Sequence, residues 1–269
     1  MTPADFKLLA DLVKVKSGLV LNQEKAYLLE SRLAPLARAR SLKDMDSLVA
    51  ELRSKKDPKL ETEIIEAMTT NESLFFRDTK PFDLFRDVVL PSIMHERRAS
   101  KTIRIWSAAC SSGQEPYSLG MLLKEAGAKL AGWRIEIVAT DLSVDILDKA
   151  ESGVFSQFEV QRGLPITMLV KYFKQEGDKW VISNSIRSMV QFQQFNLLDS
   201  MDSLGVFDIV FCRNVLIYFD KDTKGDVLSR MSNIMRPHSV LYLGGAETVI
   251  GITDKFQPVS GRRGLYELT

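Results

Sequence analysis

The sequence is short of the residues on which much enzyme chemistry is built. Of 269 residues only two are cysteines, Cys110 and Cys212, and only two are histidines, His95 and His238. Two thiols cannot build a disulfide framework, and they fit a reducing compartment. Two histidines leave little material for a zinc centre or a histidine-centred nucleophile triad, so no metal is expected. No apolar run approaches the roughly 20 residues of a membrane span. The opening stretch MTPADFKLLADLVKV also lacks the charged-then-apolar order of a secretory signal. An excess of one charge sign is missing too. Lys and Arg number 36 against 35 Asp and Glu, which argues against a dedicated nucleic-acid binder with a broadly basic surface. No sustained heptad run gives a reason to expect a coiled-coil dimer. The expectation is a cytoplasmic monomer without membrane insertion. What is present is a 45% hydrophobic, 26% charged composition, enough apolar material for a real core in one large or two modest domains.

The first 70 or so residues read as four short packed helices. Phe6, Leu9, Leu12 and Val13 follow helical spacing, as do Ala26, Leu29, Leu33 and Leu36. Asn22 is a candidate N-cap, and Asp57 before Pro58 marks another helix start. Residues 1–60 hold twelve basic residues (Lys7, Lys14, Lys16, Lys25, Arg32, Arg38, Arg40, Lys43, Arg53, Lys55, Lys56, Lys59) and eight acids, an excess of four positive charges. That surplus is either a solvated surface or a docking face for an acidic partner. From about residue 100 short strands alternate with helices. Strands are expected at Ile103–Trp106, Ile135–Thr140, Val190–Phe195, Phe207–Cys212, Val240–Leu243 and Gly264–Leu268. Helices are expected at Pro116–Ala126, Val144–Glu151 and about Lys221–Met235. This alternation predicts a parallel α/β sheet covered on both faces. Residues 171–195 break it with strand-like runs split by Glu176-Gly177-Asp178 and Asn184-Ser185, read as hairpin turns in a small antiparallel β insertion.

Four stretches can carry chemistry. In IRIWSAACSSGQEPYS (103–118) a buried strand runs into a loop of small residues and then a helix opened by Pro116. The only glycine is Gly113, so neither G-x-G-x-x-G nor a phosphate-cradling loop is present. Glu115 sits where a pyrophosphate would lie, so the loop suits a ligand with a cationic or neutral end. Asp141 closes IEIVAT; an acid there can accept both ribose hydroxyls, or it or Ser143 can cap the next helix. FDIVFCRNVLIYF (207–219) brings Arg213, Asn214 and Tyr218 to the ligand-binding edge of such a sheet, although Tyr218 and Phe219 also read as aromatic packing. TTNESLFFR (69–77) reads as a segment across a cleft or as a linker anchored by Phe75 and Phe76.

Taken in order, TTNESLFFR, WSAACSSGQEPYSLG, ATDLS, FNLLD, FDIVFCRNVLIYF and MRPHSVLYLGGAE resemble bacterial chemotaxis receptor methyltransferases of the CheR type, over essentially the whole chain. The resemblance implies an α/β fold: a Rossmann-like class I sheet of S-adenosylmethionine-dependent methyltransferases. An all-helical, basic, receptor-facing domain at 1–72 would precede a methyltransferase domain at 73–269, with the β insertion at about 171–192. It implies methylation of glutamate side chains on methyl-accepting chemotaxis receptors, whose cytoplasmic domains would be the partners. Cofactor contacts carried over by motif are Asn71, Ser73, Arg77, Glu115, Asp141, Asn196, Leu197, Arg213 and Asn214. Asp141 would hold the ribose hydroxyls, and Asn196 and Leu197 would flank the adenine. Arg77 and Tyr218 would act near the transferred methyl. Ser73 stands where relatives often have Thr, keeping the hydroxyl, and Gln114 replaces one acid of the loop.

The chemistry suits a sequence poor in histidine. A glutamate side chain, with an ordinary pKa near 4.3, is already a nucleophilic carboxylate at neutral pH, so no general base is needed. A non-catalytic receptor-binding adaptor would explain the basic helices and β insertion without a cofactor, but not the intact set of Glu115, Asp141 and Asn214. A base-methylating enzyme would call for an Asn/Asp-Pro-Pro-aromatic turn where CRNVLIYF stands, and a dehydrogenase for the missing glycines. Cys110 and Cys212, at the carboxyl ends of strands expected to be neighbours, should be close, buried, reduced and inert.

Overall fold

Four helices carry the first part of the chain: α1 (Pro3–Ser17), α2 (Ala26–Ala39), α3 (Met45–Ser54) and α4 (Pro58–Met68). The structure, a computed structural model, describes residues 1–54 and 57–269; Lys55 and Lys56, counted above among the basic residues, lie outside the described residues. Helix α1 starts on a reciprocal cap: the Asp5 N–H donates to Thr2 Oγ1 (3.2 Å) and the Thr2 N–H to Asp5 Oδ2 (3.0 Å). It ends at Gly18, whose φ of 79° is the left-handed conformation that favours glycine. Asp57 caps α4 by accepting from the Lys59 N–H at 3.0 Å, with Pro58 in the first turn. Asn22 makes no side-chain capping bond; it precedes a 3-10 turn, Gln23–Lys25, and α2 begins only afterwards. The apolar spacing closes a core of Leu9, Val13, Leu29, Leu33, Leu48, Leu60 and Ile64, all fully buried, while Phe6, Leu12, Ala26 and Leu36 are half-buried at its edge.

Part of the basic surplus has structural work. Arg40 donates to Glu63 (2.5 Å) and Asp57 (2.9 Å), and Arg53 pairs with Asp5 at 2.8 Å. Arg32 donates to the carbonyls of Met68 and Thr69, satisfying the C-terminal end of α4, where carbonyls lack helical partners. Lys25, Arg38 and Lys43 are exposed and carry no ion pair among the described residues.

The chain divides into two units, Met1–Thr70 with Tyr218–Lys224, and Asn71–Ile217 with Gly225–Thr269. The second unit carries ten strands: β1 (Thr102–Ala108), β2 (Arg134–Asp141), β3 (Val154–Ser156), β4 (Phe173–Glu176), β5 (Lys179–Ile182), β6 (Val190–Gln194), β7 (Phe207–Cys212), β8 (Met235–Leu243), β9 (Phe256–Pro258) and β10 (Leu265–Leu268). Its helices are α5 (Lys80–Leu84) and α6 (Leu90–Glu96), joined by a π-turn at Phe85–Val89, then α7 (Gln114–Ala126), α8 (Val144–Ser152), α9 (Gln157–Gln161), α10 (Ile166–Tyr172) and α11 (Asn184–Arg187). Helix α12 (Lys221–Asn233) starts within the segment counted with the first unit. The main sheet runs β6-β2-β1-β7-β8-β10-β9. Its first five strands are parallel, and β10 and β9 close one edge antiparallel. Every residue of β7 is buried, as a strand covered on both faces must be.

The small sheet is antiparallel, in the order β3-β5-β4. The hairpin at Glu176-Gly177-Asp178 joins β4 to β5. Asn184-Ser185, read as a second hairpin turn, instead opens α11, and β6 joins the main sheet. The third strand, β3, precedes the expected insertion. Phe75, just after the chain enters this unit, packs edge-on against Phe155 and Phe173 of that sheet, with ring centroids 5.0 and 5.6 Å away. The fit is close: a Cβ on Gly163 (φ 83°) would lie 2.1 Å from the Phe75 carbonyl oxygen, so only glycine lets the two backbones meet. Among the described residues no helix is long and apolar enough to cross a membrane.

Candidate functional site

The chain order turns back between β1 and β7: from β1 it proceeds to β2 and β6 on one side, then returns to β7 on the other. Open α/β sheets bind ligands at the carboxyl ends flanking such a point, because adjacent loops there diverge and leave a crevice. Of the sequence-predicted residues, Glu115, Asp141, Asn196, Leu197, Arg213 and Asn214 lie at or after the carboxyl ends of β1, β2, β6 and β7; Asn71, Ser73 and Arg77 precede β1, and Tyr218 is counted with the helical unit. Ser111 N–H donates to Asp141 Oδ2 at 2.8 Å and Ser111 Oγ to the Asn71 carbonyl at 2.9 Å. One short loop thereby ties the end of β2 to the entering segment. The Cys110 N–H donates to the Thr140 carbonyl at 2.9 Å. The loop bends sharply, with Ala109, Ser111 and Gly113 at φ 53°, 51° and 88°. Six of the nine described non-glycine residues with positive φ (Phe76, Asp78, Thr79, Ala109, Ser111, Asn214) lie on this loop, the entering segment or the end of β7. Such costly conformations persist where surrounding contacts enforce them, commonly at functional sites.

The two possible roles of Asp141 separate. Ser143 caps α8, accepting from the Ile146 N–H at 3.4 Å. Asp141 accepts instead from the N–H groups of Ser111 and Ser143, the latter at 3.2 Å. Burial pushes its carboxyl above the usual aspartate range, against the opposing pull of those backbone donors. Acceptor capacity remains, since two oxygens offer about four lone-pair positions.

Glu115, in the first turn of α7, accepts from Ser107 Oγ at 2.8 Å and from Arg213 Nη1 at 2.9 Å. Arg213 Nη2 donates to the Arg77 carbonyl (2.9 Å) and to Asp78 (2.6 Å). This guanidinium is 1% exposed and its Nε has no hydrogen-bond partner among the described residues. Arg213 therefore joins the loop after β7, the helix after β1 and the entering segment at a single group. A planar fork of five donors can do this where a lysine could not. Phe76 adds a second tie, its N–H donating to Ser118 Oγ at 3.0 Å.

The remaining expected residues have different engagements. Arg77 is half-buried and donates to the Glu72 carbonyl at 3.2 Å; Ser73 is half-buried. After β6, the Phe195 N–H donates to the Asp141 carbonyl at 2.9 Å. The Asn196 side chain accepts from the Leu198 N–H (3.0 Å), and the buried Leu197 gives its carbonyl to Arg230 (3.0 Å). Asn214 adopts φ 61°. Tyr218 belongs to the helical unit, where its carbonyl accepts from the Val20 N–H at 2.9 Å. Cys110 and Cys212 are free and buried, with burial pushing both thiols well up. Cys212 lies opposite Ala108 in the β1–β7 pairing.

One residue was not singled out from the sequence. Glu247, in the GGAE that follows β8, accepts four backbone N–H groups: Asn214 (2.8 Å), Val215 (3.0 Å), Ile217 (3.2 Å) and Gly244 (2.6 Å). Its only signal was membership of a motif read as a whole.

This set of acceptors suits a ligand with cationic and hydroxyl groups. Carboxylates with spare acceptor positions stand after β1 and β2, where a dinucleotide enzyme would offer glycines and a helix N-terminus to a pyrophosphate. The fold and the set together define a Rossmann-like methyltransferase domain. A family model described as CheR methyltransferase, SAM binding domain, matches residues 71–265, and CheR methyltransferase, all-alpha domain, matches residues 4–69. The chain is 40% identical over 265 residues to chemotaxis protein methyltransferase Cher2 of Pseudomonas putida, covering 97% of this chain and 96% of that one. It is 41% identical to chemotaxis protein methyltransferase 1 of Pseudomonas aeruginosa, with the same coverage. Identity to the chemotaxis protein methyltransferase of Salmonella typhimurium is 32%, covering 95% of this chain and 88% of the relative. The protein belongs to the CheR methyltransferase family.

Proposed function

We propose that the protein transfers a methyl group from S-adenosylmethionine to glutamate side chains on the cytoplasmic domains of methyl-accepting chemotaxis receptors, forming glutamyl methyl esters for chemotactic adaptation. The observation that carries this reading is the pair of buried carboxylates, Glu115 and Asp141, at the sheet's switch point. It sits in a chain similar over its full length to chemotaxis protein methyltransferases.

When bound, S-adenosylmethionine supplies a methyl group on a sulfonium, electrophilic enough for an ionised carboxylate to take it without a general base. The protein's contribution is therefore binding, alignment and exclusion of water. Asp141 accepts from the ribose hydroxyls, and Glu115 accepts from the amino group with the acceptor positions that Ser107 and Arg213 leave open. Asn196 and Leu197 flank the adenine. Asn71, Ser73 and Asn214 complete the cofactor contacts. Arg213 acts mainly by holding Glu115 and the backbone of Arg77 in register. Arg77 orients the incoming carboxylate through a modest contact, since a tight ground-state grip would slow attack. Tyr218 is the second residue to which a catalytic role is assigned. No metal enters, because neither nucleophile nor leaving group needs a Lewis acid. Residues 1–72 and the insertion at about 171–192 face the receptor, and the enzyme acts in the cytoplasm as a monomer.

The test is transfer of label from methyl-labelled S-adenosylmethionine to chemoreceptor-containing membranes. Label on receptor glutamates that alkali releases as methanol is the expected result. Cofactor binding with no transfer to receptor would contradict the substrate, and a failure to bind the cofactor would contradict the enzyme. Retention of near wild-type transfer in both Arg77→Ala and Tyr218→Phe would remove the catalytic roles given to those two residues.

A further inference from the structure

We infer that Glu247 is a positioning residue for the cofactor site, fixing the loop after β7 through its carboxylate; the inference rests on the reading that these strand ends bind S-adenosylmethionine. Glu247 Oε2 accepts from the N–H groups of Asn214 and Gly244, and Oε1 from those of Val215 and Ile217. Three of these donors belong to the stretch that leaves β7 and the fourth to the end of β8. That stretch runs from the end of the β7 ladder into a 3-10 turn at Leu216–Tyr218, where opening N–H groups have no helical partner. One side chain from a neighbouring loop does what secondary structure does elsewhere.

Glu247 is itself held. Its N–H donates to the Gly244 carbonyl at 2.9 Å, and its carbonyl accepts from Tyr266 Oη of β10 at 3.4 Å. The two loops approach closely at Gly244. A Cβ on Gly244 would lie 2.9 Å from the Asn214 amide nitrogen and 2.8 Å from Glu247 Oε2, so glycine is required for contact and not for its own φ. Asn214 sits at φ 61°, in the left-handed region that asparagine tolerates better than most L-residues. Arg213, immediately before it, is the group that grips Glu115 and the Arg77 carbonyl. A loose loop after β7 therefore frees Asn214 and shifts Arg213 together, and both reach the cofactor site.

The requirement is for a carboxylate of this length. Four donors need an acceptor on both oxygens, whereas an amide offers one oxygen and turns its NH2 toward two N–H groups. Aspartate keeps the charge but retracts the oxygens by about 1.5 Å, one carbon–carbon bond.

E247Q and E247D are compared with wild type by thermal unfolding, calorimetric binding of S-adenosylhomocysteine, and methyl-transfer kinetics. Glu136→Gln serves as the control; its carboxylate holds Arg104 at 2.8 Å toward the amino ends of β1 and β2. For E247Q the product dissociation constant is expected to rise at least about tenfold, or about 1.4 kcal/mol. KM for S-adenosylmethionine should rise with it and KM for receptor should stay within about twofold. E247D should fail to rescue, and E136Q should bind product as wild type does even where its unfolding temperature falls. Product binding by E247Q within about twofold of wild type, or full rescue by aspartate, would overturn the inference. Should the variants not fold, amide exchange on the wild-type protein without cofactor decides it. The Asn214, Val215, Ile217 and Gly244 amides are expected to be protected, and free exchange at all four would overturn it. Wild-type protein that binds no product refutes the cofactor reading instead, and the exchange measurement still judges Glu247.

Discussion

The helical unit and the strand ends of the α/β unit differ in where most of their charge lies. In the first, Lys25, Arg38 and Lys43 are exposed and Lys7 pairs with Asp11 in solvent, while Arg40 and Asp5 are the more enclosed charges, held by Glu63, Asp57 and Arg53. In the second, Glu115, Asp141, Arg213 and Glu247 are each no more than 9% exposed and hold backbone or one another. Exposed charges change long-range attraction and little else. Buried charges that satisfy backbone groups set geometry, and removing one strands its partners. The proposed roles follow that difference: a partner for the helical unit, a small ligand for the strand ends.

The comparison breaks most readily in the cores. Phe75→Ala removes a ring packed on Phe155 and Phe173 and should cost about 3–5 kcal/mol in stability, weakening S-adenosylhomocysteine binding because Asn71 and Arg77 lie on the same segment. Leu33→Ala should cost about 2–5 kcal/mol and leave product binding by the folded fraction unchanged. Equal loss of binding in both variants would show that the two units are not separable in function.

Next in size is the effect of reversing surface charge. A variant with Lys25, Arg38 and Lys43 all changed to Glu should raise KM for receptor about tenfold at low salt, with the effect shrinking as salt is added. KM for S-adenosylmethionine should not move. A change in the cofactor KM instead would assign these cations to the wrong partner.

Acid pH separates the regions again. Burial holds the Asp141 carboxyl above its ordinary value, so the folded state takes up its proton before the unfolded state does. Between the raised folded value and the ordinary value near 3.9, this group therefore adds stability as pH falls. The same proton removes an acceptor from the ribose hydroxyls, so product affinity should fall over the same window. Product affinity by calorimetry and stability by denaturant titration, each followed against pH, should move in opposite directions; Asp141→Asn should abolish both trends.

The smallest effect concerns Asp220, which Lys14 at 2.7 Å and the Thr223 N–H hold well below the usual range. Its contribution is present above the ordinary aspartate value and is lost as pH falls through the lowered one. Lys14→Met should accordingly be slightly less stable than wild type at neutral pH, with the gap in denaturant midpoint closing on acidification.

Much of this was legible in the sequence where a local pattern carries the physics. The β7 run FDIVFC is apolar throughout because it is covered on both faces, and its bounds follow directly. Asp57-Pro58 signals a helix start because both capping and the proline act within one turn. Asn22 misleads because a 3-10 turn intervenes before α2, and Asn184-Ser185 misleads because turn-forming residues also open helices. The three residues of β3 are too few to show a period, and Ser156, the last of them, starts a capping box with Glu159. Residues that act across the fold were the hardest to weigh. Arg213 reads as a ligand contact after a strand, yet most of its donors go to Glu115, Asp78 and a carbonyl. Glu247 draws three of its four partners from a loop 30 to 33 positions away, and no spacing announces that.

The most direct measurement is calorimetric titration of S-adenosylhomocysteine into the wild-type protein and into Asp141→Ala and Glu115→Ala. One site per chain is expected in the wild type, weakened at least about a hundredfold in each variant, or about 2.8 kcal/mol. Wild-type protein that takes up no product, or variants that bind it as well as wild type does, would contradict the placement of the cofactor at the carboxyl ends of β1 and β2.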